Sequence, residues 1–190
     1  MVGLVVFMAL LSGLAQGSSA APPLRPGDAA PAIDASLLDE PSHGLTLDSL
    51  KGGVVVLDFW ATWCAPCLQS FPHMNALVEQ FKGRAVRFVS VTHEAAAIVR
   101  PVLEKFPLRT TVALDNGCRT FRAYQAWGLP RIALLGHDSR VASVIGPEAL
   151  TGEVIEDLLA GKPLRLEQIP PWPDPKGAEE FMCGATARDP

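Results

Sequence analysis

Residues 54–67, VVVLDFWATWCAPC, join a run of strand-forming residues to a closely spaced pair of cysteines. Val54 to Trp60 is apolar throughout except for Asp58, which predicts a strand buried on both faces at the centre of a sheet. After the cysteines, apolar residues recur at spacings of three and four as far as Phe81. That period predicts a helix that begins at Cys64.

Cys64 and Cys67 lie three residues apart where the predicted strand becomes a helix. Free N–H groups and the positive end of the helix dipole stabilise a thiolate there, and the thiolate is the nucleophile. The spacing lets the second sulfur resolve a mixed disulfide formed by the first. A zinc site lacks further ligands at suitable spacing, and a structural disulfide would close only a short loop. The pattern therefore favours a redox-active dithiol.

Asp58 interrupts an otherwise apolar strand. Burial of an unpaired carboxylate raises its pKa, and a pKa near neutrality suits a general acid or base. The alternative is a carboxylate that points to solvent at the end of the strand.

The rest of the chain alternates strand and helix patterns, which predicts an α/β domain with parallel strands and a final hairpin. Further strands are predicted over residues 85–92, 110–114, 131–135 and 140–145, and further helices over residues 95–106, 117–127 and 151–160. Residues 163–190, the C-terminal tail, are rich in proline without a periodic pattern and are expected to be extended.

The chain has 190 residues, 16 of them basic and 20 acidic, with no basic block, so nucleic acid is not an expected partner. Val2 to Leu14 is apolar but short for a bilayer span, and small residues follow it. This predicts a signal peptide over residues 1–20 and a periplasmic or secreted protein. Without cleavage, the same segment would anchor the protein to the membrane.

Residues 57–67 resemble the signature of the thioredoxin superfamily, and residues 27–31 and 47–52 resemble its exported TlpA/ResA branch. The likeness covers about residues 26 to 162, within a domain predicted over residues 21–162. It implies a thioredoxin fold, with a central mixed β-sheet flanked by helices and an N-terminal β extension.

The resemblance also implies roles for the residues of the motif. Cys64 matches the exposed attacking cysteine, and Cys67 matches the buried resolving one. Trp63 matches the tryptophan that shields the site, and Asp58 the buried acid that handles a proton for Cys67. With Trp63, the residues between the cysteines, Ala65 and Pro66, would meet the substrate.

Pro130 matches the cis-proline that packs opposite the two cysteines. A cis bond there would present the Leu129 backbone to an incoming substrate strand. The alternative is an ordinary trans proline in a turn.

Two positions depart from the TlpA/ResA pattern. Ser70 stands where the branch usually has Glu, which places more of the expected proton transfer on Asp58. Arg131 stands where Thr usually follows the cis-proline. Its side chain either faces the cysteines and lowers the pKa of Cys64, or is solvated at the start of a strand.

Cys118 and Cys183 lie outside the motif. An exported protein with four cysteines could pair them and tie the C-terminal tail to the domain. Otherwise Cys118 is a buried helix residue and Cys183 a free thiol.

His73, His93 and Glu94 suggest a metal site, but they show no shared spacing, and ordinary polar roles are favoured. Trp172, in a proline-rich segment, could dock on the domain or on a partner, or belong to a disordered tail.

The resemblance implies a thiol–disulfide oxidoreductase that reduces disulfides of exported client proteins, such as apocytochrome c or proteins with copper-site cysteines. It would act as a monomer, draw electrons from a membrane thiol–disulfide donor, and use no cofactor beyond the Cys64–Cys67 pair. The alternative is a thioredoxin-fold copper-binding or assembly chaperone that uses the same cysteines as ligands.

Overall fold

The structure is a computed structural model that describes residues 22–184. The signal peptide predicted over residues 1–20 lies outside this range. Within it, no helix combines the length and the apolar character that a bilayer crossing requires. The strands are β1 (Ala35–Leu37), β2 (Gly44–Leu45), β3 (Val54–Phe59), β4 (Val86–Thr92), β5 (Thr111–Leu114), β6 (Arg131–Leu135) and β7 (Val141–Ile145). The α-helices are α1 (Ala65–Gln80), α2 (Ala96–Lys105), α3 (Arg119–Ala123), α4 (Gly152–Leu159) and α5 (Pro175–Cys183).

One seven-stranded sheet in the order β2-β1-β5-β4-β3-β6-β7 organises these elements. β3, β4 and β5 run parallel, and the remaining neighbours are antiparallel. The predicted mixed sheet with an N-terminal β extension is confirmed, since β1 and β2 form that extension. β3 is hydrogen-bonded on both sides, and all six of its residues are buried, as its apolar sequence predicts.

Helices cover both faces of the sheet, because successive side chains of β3 point to opposite sides. Leu57 packs with Phe121 of α3 in one core cluster. Val56 packs with Leu77 of α1 in the other. Asp58 follows the alternation of Val56, so its carboxyl points to the face that α1 covers.

The helix predicted over residues 117–127 is shorter in the structure, where α3 spans Arg119–Ala123. Its end has a local cause: Gln125 takes a positive φ of 49°, which the right-handed helix does not accommodate. Apolar residues beyond that point, such as Trp127, keep the helical spacing but are buried from a loop.

The C-terminal tail is not extended throughout, which corrects the expectation for residues 163–190. Residues 175–183 form α5, whose first turn is capped by the Asp174 carboxylate, which accepts a hydrogen bond from Gly177 N at 3.0 Å. Met182 is the buried apolar residue of this helix. With so few apolar residues, the segment shows too weak a period to be recognised from sequence.

A disulfide between Cys118 and Cys183 joins α5 to the start of α3, with the two Cα atoms 5.8 Å apart. Cys118 and Cys183 are thus paired, and the alternative of a buried Cys118 and a free thiol at Cys183 does not hold. The Asp115 carboxylate accepts hydrogen bonds from Arg119 N and Phe121 N and so holds the turn that carries Cys118.

The double substitution Cys118→Ser/Cys183→Ser is expected to lower the free energy of unfolding by about 2–4 kcal/mol, because the bond closes a long loop. Urea titration of the oxidised proteins measures this loss. The matched control, Cys64→Ser/Cys67→Ser, opens only a four-residue loop and should lose less. An unchanged midpoint for the first variant would contradict a stabilising role for this disulfide.

Candidate active site

Cys64 and Cys67 form a disulfide at the junction between β3 and α1, with their Cα atoms 5.3 Å apart. Cys64 is the N-cap of α1, and its sulfur accepts a hydrogen bond from Cys67 N at 3.3 Å. Pro66 lies in the first turn, where a missing N–H breaks no helical hydrogen bond. On reduction, the free N–H groups of this turn and the helix dipole favour a thiolate at Cys64.

Both cysteines are buried, although Cys64 was expected to be exposed. Only 4% of Cys64 and 1% of Cys67 is exposed in the disulfide form. The expectation of an exposed Cys64 therefore needs correction, because the disulfide packs in a cluster that includes Trp60 and Phe71. Ala65 is exposed beside it, as are Pro66 and Trp63, so the approach to Cys64 passes over these residues.

Asp58 is buried in the centre of the sheet, with 3% of its surface exposed, which rules out the solvent-facing alternative. Loss of water raises the pKa of its carboxyl to about 7, against a smaller lowering by a hydrogen bond from Ser90. Ser90 Oγ donates to Asp58 Oδ2 at 3.0 Å and accepts a hydrogen bond from Thr110 Oγ1 at 2.9 Å. The carboxyl is thus poised to gain or lose a proton near neutral pH.

Ser90 and Thr110 are site residues that sequence reasoning missed. Ser90 is the cross-strand neighbour of Asp58 in the parallel β3–β4 pair, and none of its surface is exposed. The sequence does show a polar residue inside each of two buried strands, Asp58 in β3 and Ser90 in β4. To predict that these two residues are neighbours, one needs the register between the strands, which the sequence does not state.

Pro130 follows Leu129 through a cis peptide bond, immediately before β6. Leu129 is partly buried against the cluster that contains Cys64 and Cys67. The Leu129–Pro130 loop thus packs against the core cluster that contains the disulfide, and its contact with a client segment stays a prediction.

Arg131 is buried and contacts the C-terminal tail. With 5% of its surface exposed, it is not solvated at the strand start. It lies opposite Phe59 in the β3–β6 pair, and its Nη2 donates to the carbonyl oxygen of Pro170 at 3.1 Å. Strand alternation places it on the face of Ala133, away from Asp58. Its side chain therefore holds the C-terminal tail, and its burial lowers the pKa of the guanidinium.

Glu94 anchors the loop that leads into the cysteines. Its carboxylate accepts hydrogen bonds from Thr62 N and Thr62 Oγ1, both at 2.6 Å. The next residue, Trp63, is 52% exposed, so the ring reaches solvent while its backbone is fixed by its neighbour. The sequence suggests Glu94 as a candidate metal ligand, but in the structure its carboxylate positions this loop.

The two histidines that suggested a metal site lie in separate surroundings. His73 Nε2 is 2.6 Å from the carbonyl oxygen of Leu150. The His93 ring packs edge-on against Phe121 with centroids 5.2 Å apart, and burial lowers its pKa. Within residues 22–184, no cluster of three His, Cys, Asp or Glu side chains could hold a metal ion.

The pH dependence of stability tests the burial of Asp58. Between about pH 4 and 7 the native carboxyl keeps a proton that the unfolded chain loses, so stability falls as pH rises. Relative to Asp58→Asn, wild-type protein should lose about 1.4 kcal/mol per pH unit in this window and level off above it. Urea titrations of the oxidised proteins from about pH 4.5 to 8.5 measure the difference.

Ser90→Ala serves as the matched variant for this measurement. Without the Ser90 hydroxyl, the pKa of Asp58 should rise further, and the fall in stability should continue to higher pH. A difference between wild-type protein and Asp58→Asn that stays constant with pH would show that this carboxyl does not titrate as its burial requires.

Removal of the Glu94 carboxylate should destabilise the loop that it anchors. Glu94→Ala leaves Thr62 N–H and its hydroxyl without their acceptor, so we expect a loss of about 1–3 kcal/mol in the free energy of unfolding. Glu94→Gln keeps one carbonyl acceptor and should lose less. Chemical denaturation ranks the variants, and equal stability of all three proteins would contradict the anchoring role.

Comparison with known proteins places this geometry in a family. The family model described as Redoxin matches residues 25–158. A thiol-disulfide oxidoreductase ResA of Bacillus cereus is 31% identical over 118 residues, which are 62% of this chain and 65% of that protein. The matched stretch thus spans less than two thirds of that relative.

A longer match is found with the thiol-disulfide oxidoreductase ResA of Geobacillus kaustophilus, which is 32% identical over 131 residues. These are 68% of this chain and 74% of that protein. A crystal structure from Chlorobium tepidum, assigned to the thiol:disulfide interchange proteins DsbE, aligns with a TM-score of 0.59 at 32% identity. It covers 65% of this chain and 86% of that chain. Because the Redoxin model matches residues 25–158, which are more than half of the chain, the chain belongs to the Redoxin family.

Proposed function

We propose that this chain is a thiol–disulfide oxidoreductase that reduces disulfide bonds of exported client proteins through Cys64 and Cys67. The observation that carries the proposal is the Cys64–Cys67 disulfide at the N-terminus of α1, where the reduced form gains a stabilised thiolate. The names of the relatives support the same reaction type.

The reaction begins with the reduced protein. The Cys64 thiolate attacks one sulfur of a client disulfide, which forms a bond between Cys64 and the client and releases the other client sulfur as a thiolate. That thiolate takes a proton from solvent. Trp63, Ala65 and Pro66 border the approach to Cys64, and the Leu129 backbone offers main-chain hydrogen bonds to the client segment.

Resolution needs a second thiolate. Cys67 is buried, so solvent does not readily take its proton. The Asp58 carboxylate, with a pKa of about 7, accepts that proton. Ser90 donates a hydrogen bond to the carboxylate, and Thr110 in turn donates one to Ser90. The Cys67 thiolate then attacks the Cys64 sulfur, which breaks the bond to the client and releases the second client sulfur as a thiolate. That thiolate takes a proton from solvent. The product is the disulfide present in the structure.

Each turnover leaves the chain oxidised, so two electrons must return from a dithiol donor, proposed to be a membrane thiol–disulfide protein. The protein is proposed to work outside the cytoplasm, where disulfides persist. Apocytochrome c or proteins with copper-site cysteines are the proposed clients. The reduction potential reports the direction: about −270 mV fits a reductase, and about −120 mV fits an oxidase.

Trapping of the mixed disulfide tests the order of the steps. Cys67→Ser should accumulate a covalent complex with insulin, because resolution is blocked, whereas Cys64→Ser should form none. Asp58→Asn should form the complex at the wild-type rate but resolve it about 10²–10⁴-fold more slowly at pH 7, the usual contribution of a general base. Non-reducing electrophoresis and quenched-flow mass spectrometry follow both steps.

Copper titration of the reduced protein distinguishes the chaperone alternative. Reductase activity with the expected trapping pattern supports the proposal. Stoichiometric, tight copper binding by wild-type protein, with no disulfide reduction and no trapped complex, would instead favour a metal chaperone that uses the same cysteines.

A further inference from the structure

The C-terminal tail lies along the domain on the side of the Pro130 loop. Ile169 N donates to the carbonyl oxygen of Val144 at 3.0 Å, which attaches the tail to the edge strand β7. Further along, the Trp172 ring covers Gly128, two residues before Pro130. A Cβ atom at Gly128 would lie 2.3 Å from Trp172 Cε3, so the glycine permits this close approach.

Three attachments then fix α5, the last element of the tail. The Cys118–Cys183 disulfide links it to α3. Arg122 Nε donates to Glu179 Oε1 at 2.5 Å. Met182 is 3% exposed within the core cluster of that face. The position of α5 is therefore set by contacts that do not involve the one aromatic residue of this helix.

That aromatic residue is Phe181, which is 72% exposed. Successive residues of a helix point about 100° apart, so burial of Met182 directs Phe181 away from the core. Its ring stands edge-on to the Trp63 ring, with centroids 5.5 Å apart. Trp63 immediately precedes Cys64 and is itself 52% exposed. Two large apolar rings thus form one exposed patch beside the nucleophile, the kind of surface that marks a binding site.

We infer that Phe181 is a specificity-determining residue, which with Trp63 binds an apolar side chain of the client close to the cysteine under attack. The inference rests on the proposed function. The client is the molecule that binds this patch, because its sulfur must bond to Cys64 and Trp63 is the residue next to Cys64. In an extended client segment, the residue two positions from the cysteine is about 6.6 Å away and points to the same side as the cysteine. We therefore place the contacted side chain at that position.

The Cys118–Cys183 disulfide is a positioning element in this arrangement. It holds α5 at the turn next to Phe181 and makes no contact with the client. Loss of the bond should therefore reproduce the loss of the Phe181 ring, although neither cysteine takes part in the reaction at Cys64.

Two synthetic peptides with one internal disulfide each, which carry either Phe or Ser two residues outside both cysteines, provide the test. In a single turnover, pre-reduced wild-type protein should reduce the Phe peptide with a second-order rate constant about tenfold above that for the Ser peptide, the effect expected from burial of one aromatic side chain. Phe181→Ser should lose this preference and leave the Ser peptide unaffected. Cys118→Ser/Cys183→Ser should behave in the same way.

Phe106→Ser is the matched control. Phe106 is also exposed, but it follows the C-terminus of α2, at the end of the sheet opposite the cysteines, and its loss should keep the preference. Alkylation and mass spectrometry must find two thiols per chain before each assay, so that the second disulfide is intact in all proteins except the double variant.

Reduction of the small disulfide 5,5′-dithiobis(2-nitrobenzoate) separates the two ways of failing. If every pre-reduced variant reduces this reagent at the wild-type rate, and Phe181→Ser reacts with both peptides equally slowly or at the wild-type rates, the role of Phe181 is overturned and the proposed function stays intact. Faster reduction of the Phe peptide by Phe181→Ser also overturns it, because the ring would then cover the site. Wild-type protein that reduces neither peptide nor reagent overturns the proposed function, and the inference falls with it.

Discussion

The removal of water from β3 governs the chemistry that the rest of the structure can perform. β3 is paired on both edges and covered on both faces, so a charged carboxylate at Asp58 cannot be solvated. The same strand fixes the position of Cys64, which follows it closely, because the six residues of β3 cannot shift without exposing a core residue. A poised carboxyl and a positioned helix N-terminus are thus two results of one buried strand. The remaining elements preserve that burial or shape the approach to it.

The fold could be predicted because its central elements have strong local patterns. An apolar strand with one acid, and a helix that starts at a cysteine pair, each follow from a short stretch of sequence. The burial of Asp58 was predictable for the same reason. The accessibility of Cys64 was not, because it depends on Leu38, Val99 and Leu114, which the fold brings to the cysteines from distant parts of the chain.

Contacts between distant segments account for the other differences. Arg131 meets the carbonyl of Pro170, 39 residues away, and no local pattern indicates that pairing. The helix α5 is held by a disulfide and one buried methionine rather than by an apolar stripe, so periodicity does not detect it. Ser90 is recognisable as a partner of Asp58 only when the strand register is known. The residues that carry the chemistry can thus be identified from sequence, whereas their partners require the folded chain.

The two disulfides make opposite demands on their surroundings. In the proposed reaction the Cys64–Cys67 bond opens and closes in each cycle, whereas the Cys118–Cys183 bond stays closed and links α5 to α3. The proposed dithiol donor would therefore have to discriminate between two disulfides of one small protein. The helix N-terminus at Cys64 favours reduction of the first bond, because it stabilises a thiolate product. Strong reductants in the laboratory make no such distinction. In excess dithiothreitol both bonds would be reduced, so the behaviour of such a sample would describe a protein without the covalent link between α5 and α3.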